Sequence, residues 1–145
     1  MLLYSILIPV FLAIIINLII YIFGYFKKIK SEPNPYIPAG YIVGLIWTFL
    51  LALLGYIHYL LYSLNNSTNI GTISVIFLIL YSLSYPFLIY IKENSLLLFN
   101  MIGLILSFIV ALIVISYSKY IFIYLIPLLL WIIYVNIVFI IKNNK

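Results

Sequence analysis

The sequence predicts an all-α integral membrane protein built as a bundle of five transmembrane helices. Three observations carry this. The chain of 145 residues is 68% apolar and only 6% charged, with a mean hydropathy of +1.37. Five apolar runs have the length of a bilayer span, which needs roughly 20 residues. The cations sit at the ends of those runs, mostly on one side. A soluble domain carries about 25% charged residues to cover its surface, and seven lysines with two glutamates cannot do so. Membrane lipid is therefore the expected partner.

The first helix is expected over about residues 3–26 and stops at Lys27, Lys28 and Lys30. It lacks a basic start and a small-residue cleavage site, so it reads as a retained span rather than a signal peptide. A loop over 27–38 follows, with Pro33, Pro35 and Pro38. Each proline lacks an N–H and restrains its predecessor, which predicts an extended or turned segment rather than a helix. The second helix is expected over 39–64, before the polar run Asn65 to Asn69, and the third over 70–91, bent near Pro86. Lys92, Glu93 and Asn94 form a turn; the fourth helix covers 95–117. Ser118 and Lys119 divide it from the fifth, over 120–141. The whole chain, 1–145, reads as one transmembrane domain.

Lysine placement sets the orientation, because cytoplasmic loops collect cations. With five spans, Lys27, Lys28, Lys30, Lys92, Lys142 and Lys145 share one side and Lys119 stands alone on the other. The N-terminus is expected outside, and the C-terminus and first loop in the cytoplasm. Nucleic acid is not an expected partner, since phosphate binding needs clustered cations and these lysines flank spans. The absence of Arg and Cys excludes disulfides and thiolate chemistry. Glu32 and Glu93 lie in separate loops, and one His cannot build a zinc site. No catalytic residue, metal ligand or bound cofactor is expected.

Few polar side chains remain within the spans. His58 serves either as a hydrogen-bonded neutral imidazole or in proton or ligand handling. Asn17, Asn100 and Asn136 should face the bundle interior, because an unpaired amide in lipid is costly; helix glue and ligand contact both fit. Gly103 and Ser107, four residues apart, suit a close helix contact. Many of the 15 Tyr lie near helix ends, where an interfacial belt accounts for them. The two Trp do not. At 1.5 Å per residue, Trp47 lies ~12 Å and Trp131 ~16 Å from the cytoplasmic face. Trp47 shares a stripe with Leu51, Leu54, Gly55 and His58, and Trp131 one with Tyr124, Pro127, Tyr134 and Val138. If both stripes face inward, they line an aromatic cavity for a flat apolar ligand; ordinary packing is the competing reading.

The stretch PYIPAGYIVGLIWTFLLALLG, Pro35 to Gly55, resembles the signature of the tryptophan-rich sensory protein (TspO, or translocator protein) family. Pro35, Tyr36, Pro38, Gly40, Gly44, Trp47, Thr48, Leu50 and Gly55 fit it, and Tyr41 stands where a Trp is usual. LIPLLLWIIYVN, Leu125 to Asn136, is similar to the family's fifth-helix pattern through Pro127 and Trp131. The resemblance implies a TspO-like five-helix bundle, usually homodimeric, with a pocket between the second and fifth helices beneath the first loop. It implies ligand contacts at Trp47, Trp131, Tyr41, Pro38, Tyr134, Ser82 and Tyr85. The ligand it implies is a porphyrin or another tetrapyrrole, bound by a receptor, sensor or carrier. Two alternatives remain: light-driven porphyrin breakdown, attributed to some bacterial members, and a structural or partner-binding role with a decayed pocket. Leu51 replaces the family's second-helix Tyr, and the fifth helix lacks the Tyr-before-base pattern for sterol.

Overall fold

Long runs of Leu, Ile and Phe without charge leave the backbone one way to satisfy its polar groups in lipid, by bonding within helices. The computed structural model describes residues 1–22, 36, 38, 40–65, 67–88 and 93–143; among these it has helices and no strand. The helices are α1 (Leu2–Ile22), α2 (Gly40–Asn65), α3 (Ile70–Leu88), α4 (Glu93–Tyr117), α5 (Lys119–Ile123) and α6 (Ile126–Asn143). Four stretches are long and apolar enough to cross a membrane: Leu2–Ile19, Tyr41–Leu64, Leu97–Tyr117 and Lys119–Ile141. The fifth apolar helix, α3, has 19 residues and rises about 28 Å. The lysines of the first loop, and most of the loop expected over 27–38, lie outside the described residues.

Burial in this protein is inverted relative to a water-soluble fold. Apolar side chains cover the outside, with Leu45 67% and Leu112 70% exposed, while Thr72, Ser82, Asn100, Ser107 and Asn136 are buried. Only lipid makes that arrangement favourable. The core is formed by Leu50, Leu54, Ile57 and Leu61 of α2, Val75 and Leu78 of α3, Val110 and Val114 of α4, and Leu125, Leu128 and Ile132 of the last span. Helix α1 lies at the edge; among the described residues its Ala13 belongs to that core and Ile16 packs against it. Asn17, expected to face inward, is exposed on α1; the α1–α2 contact turns a different stripe of α1 toward the bundle.

Several Ser and Thr hydroxyls inside the spans bond to carbonyls of their own helices, which satisfies them in lipid. Thr48 Oγ1 donates to the Gly44 carbonyl (2.9 Å), Ser82 Oγ to Leu78 (2.8 Å) and Ser107 Oγ to Gly103 (2.7 Å). Helix α3 opens on a reciprocal cap. The Thr72 N–H donates to Asn69 Oδ1 (2.9 Å) and the Asn69 N–H to Thr72 Oγ1 (2.8 Å). Asn69 Nδ2 reaches back to the Leu61 carbonyl (3.2 Å), fastening the end of α2 to the start of α3.

The fifth span is not the single helix expected over 120–141. It breaks at Tyr124–Leu125, between α5 and α6. Pro127 has no N–H for the Ile123 carbonyl, and its ring crowds that carbonyl. The backbone tightens instead: the Tyr124 N–H donates to Ile121 O (3.1 Å) and the Leu125 N–H to Phe122 O (2.9 Å). Ser118 alone separates α4 from α5, capping α5 through its side chain with φ −164° and ψ 123°.

Candidate functional site

Two cavities involve the residues singled out by the sequence. The larger is an open groove of about 480 Å³ between α2 and α6. Pro38, just before α2, stands on its rim, and Ile46, Phe49 and Leu50 form one wall. Pro127, Leu130, Trp131 and Tyr134 form the other. The groove exists because α2 packs chiefly on α1 and α3, whereas α6 packs on α4.

The aromatic wall of the groove is ordered. Trp131 and Tyr134 stack with ring centroids 5.7 Å apart and planes at 30°, an i, i+3 pair on one helix face. The Tyr134 hydroxyl donates to the Tyr36 backbone carbonyl, so the end of the first loop is tied to α6. Trp131 Nε1 is buried with no hydrogen-bond partner among the described residues. At the break, Tyr124 meets Tyr56 edge-on at 5.1 Å and 88°, holding the end of α5 against α2.

The smaller cavity, about 20 Å³, lies among α2, α3, α4 and α6. Trp47, Ser82, Tyr85, Asn100 and Asn136 are among its lining residues. Trp47 leans on Tyr85, with centroids 5.8 Å apart and planes tilted by 31°. Nearby, the Tyr81 ring covers Gly103, where a Cβ would approach Cε1 to 2.9 Å. The Tyr81 hydroxyl donates to the Phe99 carbonyl at 2.5 Å.

The residues expected at one ligand thus fall into two groups. Pro38, Trp131 and Tyr134 line the groove, while Trp47, Ser82 and Tyr85 line the small cavity; the two indoles do not share a wall. Tyr41 lines neither and is 74% exposed near the start of α2. Tyr81 and Leu130 escaped the sequence reading. The i, i+3 relation of Pro127 and Leu130 was the available signal for Leu130; none marked Tyr81. His58 Nδ1 stands 3.4 Å from Ser5 Oγ across the α1–α2 contact, away from both cavities. No group of three or more His, Cys, Asp or Glu that could hold a metal comes together among the described residues.

Apolar helices with a lipid-facing surface and an internal polar minority define an integral helical membrane protein. The family model described as the TspO/MBR family matches residues 5–140. The chain belongs to that family, and its helices form a five-span bundle of that type. Comparison with curated proteins and with solved structures gives no match. Membership supports a receptor or carrier role in the membrane.

Proposed function

We propose that this protein is a membrane receptor or carrier for a flat hydrophobic ligand, a tetrapyrrole such as a porphyrin, held between α2 and α6 beneath the first loop. One observation carries the reading: the Trp131–Tyr134 stack forms a flat aromatic face along a groove of about 480 Å³. That volume falls within the roughly 300–1,000 Å³ usual for small-molecule sites. A planar macrocycle buries its face against such a surface and gains stacking beyond simple area burial. In this reading Trp131, Tyr134 and Pro38 touch the ligand. Trp47, Ser82 and Tyr85 act behind it, by fixing how α2 and α3 pack, and Tyr41 guards the loop end of α2. Lys27, Lys28 and Lys30 on the cytoplasmic loop would meet acidic substituents of the macrocycle, and the protein would assemble as a homodimer.

Titration of the purified protein with protoporphyrin IX tests the reading. Saturable binding is expected, with Trp131→Ala and Tyr134→Ala each weakening it about tenfold, or ~1.4 kcal/mol. Trp47→Phe should change affinity less than about threefold, ~0.65 kcal/mol. Full affinity in Trp131→Ala together with a large loss in Trp47→Phe would take the ligand out of the groove. A titration without saturation would remove it altogether.

A further inference from the structure

We propose that Asn100 and Asn136 hold a single buried water molecule between α4 and α6. Both are nearly inaccessible, 5% and 4% exposed, and both line the cavity of about 20 Å³. The orientation of the Asn136 amide is fixed by its donors. Nδ2 donates to the Asn100 backbone carbonyl (3.2 Å) and to the Ile132 carbonyl (2.9 Å). The flipped amide would set its oxygen against those same two carbonyl oxygens, which is repulsive. Asn136 Oδ1 is therefore an acceptor, buried and without a partner among the described residues. Asn100 Nδ2, a donor equally buried, lies beside the Tyr85 hydroxyl and makes no well-formed hydrogen bond among the described residues.

One unmatched donor and one unmatched acceptor, on neighbouring helices and lining one cavity, call for a species that both accepts and donates. Water does so with a single heavy atom. A site needs roughly 10–15 Å³ and two to four polar partners to keep a water molecule, and this cavity meets the first condition for one molecule only. Ser82, whose hydroxyl proton is committed to Leu78, and Tyr85 line the same space, and their hydroxyls can complete the second. Inside lipid the alternative, two bare amide atoms, is the more costly state. The bound water clips α6 to α4 at the level of the Trp47–Tyr85 contact, and does so whether or not the groove binds a tetrapyrrole.

Proton-detected solid-state NMR of the full chain in lipid bilayers, with labelled asparagine side chains, tests this. A cross-peak between the Asn100 Nδ2 protons and water is expected, and it should disappear in Asn136→Leu. Lack of that cross-peak in the unaltered protein, or its survival unchanged in Asn136→Leu, would overturn the proposal. Should Asn136→Leu fail to fold, a crystal structure of the unaltered chain that resolves solvent decides. A solvent peak within hydrogen-bond reach of both amide atoms supports the site; a dry cavity, or direct bonding of the two amides, refutes it.

Discussion

At Gly55 the crossing of α1 and α2 has no room for a side chain. A Cβ there would stand 2.2 Å from the Ser5 carbonyl oxygen and 2.9 Å from Ile6 Cα, both backbone atoms that cannot swing aside. Pro9 lies within α1 and supplies no N–H to that Ser5 carbonyl, so α2 approaches a carbonyl that lacks its usual i+4 donor. Gly55→Ala should lower thermal stability in detergent by the equivalent of about 1–3 kcal/mol, the usual cost of overpacking. Gly44, with nothing within 4 Å of its would-be Cβ, is the control. Gly44→Ala should hold or raise the melting temperature, because Ala favours helix over Gly by about 1 kcal/mol. Equal losses in both variants would mean that the crossing yields.

The sequence supplies an expected depth for each residue, and it does not supply the direction a residue faces. A rise of 1.5 Å per residue places Trp47 and Trp131 at similar levels whatever surrounds them. Which way each indole turns depends on helix rotation, normally read from the contrast between an apolar and a polar face. Here lipid and core are both apolar, and that contrast vanishes. The same blindness misdirected Asn17, while Asn100 and Asn136 turned inward as their amides require.

Among the elements, the last span shows what local chemistry adds to a hydropathy reading. Its length was legible from the apolar run after Lys119, and its break follows from one residue, Pro127. Replacing that proline by alanine restores a donor for the Ile123 carbonyl and removes the ring clash. Pro127→Ala should join α5 to α6, slowing amide exchange at Tyr124 and Leu125 at least about tenfold, ~1.4 kcal/mol of added local stability. Unchanged exchange would assign the break to tertiary contacts such as Tyr56 on Tyr124 instead. The start of α3 was visible as a polar run, but the Asn69–Thr72 cap was not, since either residue alone also suits a loop.

For the molecule as a whole, the five spans were legible because bilayer thickness fixes the length of each run. Residue patterning alone did not give the groove, which comes from two helices that choose other partners; only the family resemblance pointed to a pocket between these spans. Orientation rests on the lysine asymmetry and can be checked directly in a chain that has no cysteine of its own. A single cysteine at Ser67, between α2 and α3, should react with an impermeant maleimide on intact cells. One at Lys145 should react only after lysis, and the reverse pattern would invert the topology.

The most direct measurement is a structure of the protein with protoporphyrin IX bound. The macrocycle should lie between α2 and α6, flat against Trp131 and Tyr134, with its acidic edge toward the first loop. A macrocycle seated on the outer faces of α1 or α4, or against Trp47 with the groove empty, would contradict the account.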